Sequence, residues 1–192
     1  MGFPKTMSAR VRYVEQIATL DAPILGVASY VFRLNSLHDP NFTGVGHKPM
    51  GMDEYNALYA HYQVLGCKYR VLFNSTGSTQ HIVGCAIRRT SNTETPTGKY
   101  EETGDCQWKG LAQENGSPAM TEIKGNVNIA KWLGKQSSDD QLESLTGASP
   151  TEQMFLHVFT HNVSQGDPAN VNFQIQLDFD SVFREKKVLT QS

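Results

Sequence analysis

The sequence predicts an all-β sandwich, and three features of its 192 residues predict this fold class. Apolar and polar residues alternate along several segments, which is the pattern of a strand with one buried face. About eight such segments follow one another, separated by clusters of Gly, Pro, Asn, Asp and Ser that favour turns. Only one short segment has helical periodicity. Because each strand has one apolar face to bury, the strands are expected to form two packed sheets.

The strands are recognised by their period of two. The alternation is clearest near the end of the chain, where Val171 to Phe179 supply five apolar residues on one phase and Asn172 to Asp180 supply five polar residues on the other. Met154–Val163 is apolar on both phases over most of its length, as in a strand that is covered on both sides. The predicted strands are Ser8–Ala18, Leu25–Asn35, Gln63–Asn74, Gln80–Arg88, Asp105–Ala112, Thr121–Trp132, Gln153–Val163 and Ala169–Phe183.

A short helix is predicted between the second and third strands. The evidence is a recurrence of apolar residues at i, i+3, i+4 and i+7, which lie on one face of a helix. These residues are Tyr55, Leu58, Tyr59 and Tyr62. Asp53 stands just before them and is predicted to be the N-cap of this helix.

The composition limits the possible functions. The net charge is −2, from 17 basic and 19 acidic residues, so charge alone does not indicate a dedicated nucleic-acid-binding protein. The three cysteines, Cys67, Cys85 and Cys106, are odd in number and form no CxxC pair, which predicts buried free thiols in a reducing compartment. No stretch approaches ~18 consecutive apolar residues, so no membrane-spanning helix is expected.

Motifs of the common enzyme classes are missing from the sequence. It contains no phosphate-binding loop, no complete dinucleotide-binding glycine motif and no nucleophile elbow. His157 and His161 have the spacing of a zinc-binding helix, but they lie in a predicted strand, which favours a structural pair. Asp39, Asp53 and Asp105 could bind calcium at a subunit boundary, although surface carboxylates are usually just solvated. We therefore expect no enzyme activity, no cofactor and no metal site.

Six basic residues form three pairs on the polar phases of predicted strands. The pairs are Arg10 with Arg12, Lys68 with Arg70, and Arg184 with Lys186. Because each pair is out of phase with the apolar residues of its strand, its side chains are expected to point away from the core. One interpretation is a solvated, charged strand face that suppresses aggregation, and the other is a surface that binds a polyanion.

A set of short motifs occupies the stretch from Asn35 to Tyr69. The motifs are Asn35-Ser36, Asp39-Pro40, Gly46-His47-Lys48-Pro49, Gly51-x-Asp53-x-Tyr55, Tyr59-x-x-Tyr62, Val64-x-Gly66 and Lys68. In order and spacing this set resembles the capsid proteins of circovirus-like viruses, whose circular single-stranded DNA encodes a replication initiator. The flanks match more loosely, through Phe3-Pro4 before the first strand and through the basic end of Phe179–Lys187.

The resemblance implies a fold and a function. The fold would be an eight-stranded viral jelly roll with sheets ordered BIDG and CHEF, a short helix in the C–D connection and one shell domain over residues 1–192. The protein would be a structural capsid protein that assembles as about sixty copies in a T=1 icosahedral shell around circular single-stranded DNA. It would be located in the virion, in the host nucleus during assembly, and would bind an unidentified host receptor. The alternative is a cellular jelly-roll module that binds carbohydrate or protein.

The resemblance also implies roles for particular residues. It places strands B, D and I in one sheet, so the three basic pairs would merge into one patch that contacts phosphates weakly and without sequence specificity. The alternative is that these side chains pair with acidic residues of neighbouring subunits. Family members usually carry a basic N-terminal arm, whereas Met1 stands almost at strand B, so either this form lacks the arm or this chain is a truncation. Without such an arm, contact with DNA is expected to be weak.

A second set of residues is expected at contacts between subunits. These candidates are Asp39, His47, Lys48, Tyr55, Tyr59 and Tyr62. For the three tyrosines, packing inside their own subunit is an equally good interpretation.

Overall fold

The computed structural model describes residues 4–43, 46–75, 80–94, 98–102, 105–111, 119–163 and 169–188. Its strands are β1 Thr6–Ala22, β2 Val27–Arg33, β3 Tyr59–Ser75, β4 His81–Arg88, β5 Cys106–Leu111, β6 Met120–Asn128, β7 Glu143–Leu145, β8 Phe155–Asn162 and β9 Ala169–Lys186. Its helices are α1 Met52–Leu58, α2 Gly98–Glu101 and α3 Ile129–Leu133, with a 3₁₀ turn at Asp140–Leu142. Phe3 and Ala112, which belong to predicted features, lie outside the described residues.

The strands form two antiparallel sheets that reproduce the predicted topology. One sheet has the order β1-β9-β3-β6, with the short β7 added beside the start of β3, and the other has the order β2-β8-β4-β5. In jelly-roll letters β1 to β6 are B to G, β8 is H and β9 is I, so the two sheets are BIDG and CHEF. The prediction of an all-β jelly roll is therefore confirmed.

The core lies between the two sheets and follows the alternation in the sequence. The apolar phase of β9, from Val171 to Phe179, is buried throughout. Phe173 crosses the space between the sheets, with its ring centroid 5.6 Å from that of Tyr30 and 6.1 Å from that of Phe32 on β2. Burying a side chain of this size stabilises the fold by roughly 1.5–3 kcal/mol, so the inward phases of the strands hold the sheets together.

The strand β8 is buried on both faces, as its sequence predicts. On the outer face of the CHEF sheet, the Tyr100 ring of α2 stacks on Phe159 with centroids 4.7 Å apart. The Phe159 ring lies over Gly84. A Cβ atom at residue 84 would lie 2.3 Å from this ring, so only glycine fits at that position. The segment that follows β4 thus covers the outside of this sheet.

A histidine fixes this cover to β8. His157 is fully buried, with Nε2 2.7 Å from the carbonyl oxygen of Thr90 and Nδ1 3.3 Å from the hydroxyl of Tyr100. The Tyr100 hydroxyl also accepts a hydrogen bond from the backbone N–H of Glu94 at 2.9 Å. A neutral imidazole that donates from Nε2 and accepts at Nδ1 satisfies this arrangement. His157 therefore has a structural role, and His161 remains partly exposed.

The helix before β3 differs from its prediction. It ends at Leu58, and Tyr59 and Tyr62 belong to β3 because their backbones pair with β9. The N-cap is Gly51, with a φ of +82° that suits glycine, and no side chain caps this helix. Asp53 was wrongly predicted to be the cap, since its carboxylate pairs with the Lys48 ammonium at 2.7 Å.

Other elements also differ from the prediction. The sixth strand ends at Asn128 and not at Trp132, because the Asn128 side chain accepts a hydrogen bond from the N–H of Lys131 and caps α3. Gly134, with a φ of +70°, ends that helix. The strand β7 was not predicted because three residues are too few for an alternation to be recognised.

The cysteines agree with the prediction in two cases. All three are free thiols, of which Cys67 and Cys85 are buried and Cys106 is partly buried. Burial raises the pKa of Cys67 and Cys85 well above its usual value, and burial raises the pKa of Cys106 to about 11.

Replacing Tyr62 by Phe tests the packing of the C–D connection. The buried Tyr62 hydroxyl donates to the carbonyl oxygen of Ala148 at 2.8 Å and accepts from the N–H of Leu37 at 3.2 Å. Tyr62→Phe leaves both groups without a partner, so the free energy of unfolding should fall by about 1–3 kcal/mol in urea titrations. Tyr55→Phe is the control and should cost less than about 0.5 kcal/mol. Equal effects of the two substitutions would contradict this assignment.

The buried histidine makes stability depend on pH. Burial lowers the pKa of His157 below its ordinary value of 6.5. The unfolded chain therefore takes up the proton first, and the free energy of unfolding should fall as the pH drops below about 6.5, by up to about 1.4 kcal/mol per unit. His157→Gln should flatten this dependence in denaturation curves at pH 7 and pH 5, although His81, whose pKa burial also lowers, keeps its share. The exposed His47→Gln is the control, and an equal flattening there would refute the prediction.

Candidate nucleic-acid interface and subunit-contact residues

The outer face of the β1-β9-β3-β6 sheet carries five side chains of the predicted basic pairs, namely Arg10, Arg12, Lys68, Arg70 and Arg184. We call its outward side chains the BIDG face. Arg10 and Arg12 project from β1, and Lys68 and Arg70 project from β3, on either side of β9. The register places Arg12 and Lys68 opposite the same residue of β9, Asp178. Arg184 and Lys186 stand at the far end of β9, opposite His61 and Tyr59 of β3.

The basic side chains are not a purely basic patch, because most of them pair with acids of the same chain. Arg10 donates a hydrogen bond to Asp180 at 2.7 Å. Arg12 donates to both carboxylate oxygens of Asp178, at 2.6 and 3.3 Å. Arg70 pairs with Glu122 of β6, and Arg184 pairs with Glu143 of β7. The prediction of one merged basic patch is corrected accordingly: the outward phase of β9 supplies aspartates between the arginines.

The ion pairs also fix the charge of the acids. Partial burial raises the pKa of Asp178, but hydrogen bonds from Arg12 and Gln176 outweigh this effect and hold the pKa below its usual value. Hydrogen bonds from Lys124 and Arg70 lower the pKa of Glu122. Both carboxylates are therefore charged at neutral pH. Acidic and basic side chains thus stand next to one another across the BIDG face.

The BIDG face still has an excess of positive charge at its centre. Five cations stand against three carboxylates in the middle of the sheet. The cations are Arg10, Arg12, Lys68, Arg70 and Lys124, and the carboxylates are Glu122, Asp178 and Asp180. Lys68 is exposed and makes no ion pair with any residue that the structure describes. Phosphates could bind this excess weakly, by competing with the carboxylates for the arginines.

The polar candidates for subunit contact have partners within the chain. Asp39 accepts from the guanidinium of Arg33 at 2.8 Å, and Lys48 pairs with Asp53. His47 is exposed, and its ring lies 4.6 Å from that of Tyr13. These contacts shape the C–D connection, and they leave His47 and Lys48 at the surface.

The aromatic candidates divide into two cases. Tyr59 and Tyr62 are fully buried, so the expectation that they contact a neighbouring subunit is wrong, and packing inside their own subunit is correct. The hydroxyl of Tyr59 donates to the carbonyl oxygen of Pro4 at 3.1 Å. Tyr55 is partly exposed and stacks on Phe183 with centroids 4.4 Å apart, so only its outer edge is available.

The structure exposes apolar side chains that the sequence interpretation missed. Phe42 and Met50 lie in the C–D connection and are 40% and 90% exposed. Among the residues that the structure describes, the other large exposed apolar side chains are Ile24, Leu25, Trp108, Met120, Leu145, Val163 and Val188. For Phe42 and Met50, a large apolar residue inside a turn-rich segment is the signal that could have identified them. Single exposed apolar side chains are common on protein surfaces, and only a contiguous group of them indicates a contact surface.

The possible ligand sites within the described residues are few. Within them, no group of three or more His, Cys, Asp or Glu side chains is placed to hold a metal ion. A depression of ≈390 Å³ beside β7 is lined by polar residues that include His61, Glu143 and Glu185. In the same ranges, no helix is long and apolar enough to cross a membrane.

Comparison with known proteins identifies the fold. The chain resembles a chain in the structure of Mud crab tombus-like virus, with 14% identity and a TM-score of 0.54. The alignment spans 99% of this chain and 94% of that one. It resembles a chain of turnip yellow mosaic virus with 11% identity and a TM-score of 0.50, over 100% of this chain and 87% of that one. The fold is a viral jelly roll. No protein-family model and no curated protein matches the sequence.

Neutralising one acid should strengthen nucleic-acid binding by the BIDG face. Glu122→Gln releases Arg70 and Lys124, so affinity for a single strand of about 16 nucleotides should rise and the salt slope should steepen by about 0.7 per added contact. Fluorescence anisotropy at several salt concentrations measures both quantities. Arg70→Gln should have the opposite effect. Glu101→Gln on α2, above the other sheet, is the control with the same charge change, and an equal gain there would contradict a local effect.

Proposed function

We propose that this chain is a viral capsid protein whose identical copies assemble into a closed icosahedral shell around nucleic acid. The observation that carries the proposal is the complete jelly roll, with BIDG and CHEF sheets, which aligns over almost the whole chain with a virus structure. Residues 1–192 form one shell domain in this proposal. Its role is structural, so no enzyme activity is part of it.

The arrangement of the molecule supports such a role. Two sheets with a shared apolar core give a rigid body, and closed symmetry converts many modest contacts between copies into a stable shell. The exposed Phe42 and Met50 of the C–D connection would supply apolar contact between copies. His47, Lys48 and the outer edge of Tyr55 lie in the same connection and would supply its polar rim.

The BIDG face would line the inside of this shell. Its central excess of positive charge suits a weak contact with phosphates that does not depend on sequence. Arg10, Arg12, Lys68 and Arg70 are the proposed contacts, and Arg184 and Lys186 extend them toward one end of β9.

The finer form of the proposal is a circovirus-like T=1 shell of about sixty copies around circular single-stranded DNA, assembled in the host nucleus. The set of motifs between Asn35 and Tyr69 supports it. The nucleic acid recovered from purified particles distinguishes a DNA genome from an RNA genome. Nuclease digestion of that nucleic acid, with DNase and RNase in parallel, is the direct test.

Assembly is tested by weighing and imaging the purified chain. Sixty copies of a 21.3 kDa chain amount to about 1.3 MDa, in particles of about 20 nm. Mass photometry and negative-stain electron microscopy over a range of pH and salt should detect them. A monodisperse monomer at high concentration under all conditions would contradict the proposal and favour a cellular binding module.

The contact surface is tested with a matched pair of variants. Met50→Asp should lower the assembled fraction several-fold, because it places a charge where apolar contact is expected. Val188→Asp introduces the same charge at a comparably exposed residue outside the C–D connection and should leave assembly unchanged. Circular dichroism checks that both variants fold. Unchanged assembly of the folded Met50→Asp variant would remove this connection from the interface.

A further inference from the structure

A shallow groove lined by carboxamides crosses the BIDG face beside its cations. One depression, of ≈180 Å³, is bounded by Gln16, Asn74, Asn172 and Gln174, with Leu72 and Met120 as apolar lining. A second depression, of ≈90 Å³, adds Arg70 and Gln176. Both depressions include Leu72 and Gln174, so they form one continuous groove.

The register of the sheet explains this arrangement. Leu72 of β3 stands opposite Gln174 of β9, and Asn74 stands opposite Asn172. One row further along, Arg70 stands between Gln176 of β9 and Lys124 of β6. An apolar strip is therefore flanked by carboxamides, and two cations lie at one end of it.

Several of these carboxamides have unused hydrogen-bonding groups. Asn172 accepts from the Thr19 hydroxyl at 2.9 Å, and Gln176 donates to Asp178 at 2.9 Å. In contrast, the Oδ1 atom of Asn74 is buried and lacks a partner among the described residues. Gln174 is exposed and makes no side-chain hydrogen bond within the same part of the chain. A carboxamide offers a donor and an acceptor in one plane, so the exposed Gln174 can serve a planar ligand. A rotation of the Asn74 side chain would bring its buried Oδ1 atom into the groove.

The charges next to the groove suit an anionic polymer. Glu122 is the carboxylate nearest to Leu72 in the register, and it is neutralised by Arg70 and by Lys124, whose ammonium lies 2.5 Å away. A ligand with a flat face, an edge of donors and acceptors, and a phosphate at one end would match the apolar strip, the carboxamide of Gln174 and the two cations. Nucleotides combine these properties, since carboxamides pair with base edges and cations pair with phosphates.

We propose that this groove binds unpaired bases of a single-stranded nucleic acid. The carboxamides of Asn74 and Gln174 contact base edges, Leu72 and Met120 contact a base face, and Arg70 and Lys124 hold the adjacent phosphates. Single strands expose their bases for such contacts, whereas duplexes hide them in stacked pairs. The inference rests on the proposed function, and it adds to it that contact with the genome includes bases as well as phosphates.

The experiment compares a strand that has bases with a strand that lacks them. Full-length subunits are titrated with labelled single strands of about 16 nucleotides, either base-containing or abasic, at one salt concentration. The wild type should bind the base-containing strand about 5- to 10-fold more tightly, at the low end of what one paired base edge contributes. Parallel DNA and RNA strands establish which sugar the groove accepts.

Variants assign the difference to the groove. The double substitution Asn74→Ala with Gln174→Ala should abolish the preference for bases and leave the affinity for the abasic strand within about twofold. Gln174→Leu keeps the approximate size of the side chain and should weaken the preference without disturbing the fold. Gln136→Ala, an exposed glutamine outside the sheet, is the matched control and should change neither affinity.

The outcomes separate this inference from the proposed function. Equal binding of the two strands by the wild type, or an unchanged preference in both folded variants, would overturn the base contact while leaving the phosphate contact intact. Failure of both strands to bind at any salt concentration would overturn the nucleic-acid role of the BIDG face together with the inference. Particle formation is measured separately, so the capsid proposal is judged on its own result.

Discussion

The register of β9 is the constraint on which the rest of the molecule depends. This 18-residue strand hydrogen-bonds to β1 along one edge and to β3 along the other. Its inward phase fills the core between the sheets, and its outward phase places Asp178 and Asp180 beside the arginines of β1. A slip of one residue would exchange the two phases and bury both carboxylates. The core and the charge pattern of the BIDG face are therefore set by the same pairing.

The same constraint explains how an excess of cations comes to stand on one face although the chain is slightly acidic. Exposed ion pairs contribute little to the stability of the fold. The aspartates therefore orient the arginine side chains of β1 but add little to the free energy of unfolding. In the proposed shell a phosphate would replace such a partner at modest cost, and the carboxamide groove would hold the attached base. Weak contacts of this kind gain strength when many copies in a shell act on one polymer.

Much of the fold could be predicted from the sequence, because alternation directly reports which face of a strand is buried. The order of strands within the sheets came from the resemblance around Asn35 to Tyr69. The end of α1 was missed because Tyr59 and Tyr62 also fit a helical face, and only the distant pairing with β9 makes them strand residues. The ion pairs were missed for a similar reason: which acid meets Arg12 or Arg70 depends on register, which local patterns do not specify.

The central claim is that the BIDG face lies inside a closed shell with nucleic acid against it. A cryo-electron microscopy reconstruction of purified particles tests this most directly, because it fixes the orientation of both sheets relative to the particle centre. The account predicts that Arg12, Lys68 and Gln174 point inward, next to density for nucleic acid. A shell in which these side chains point outward, or in which the interior density lies only against other elements, would contradict it.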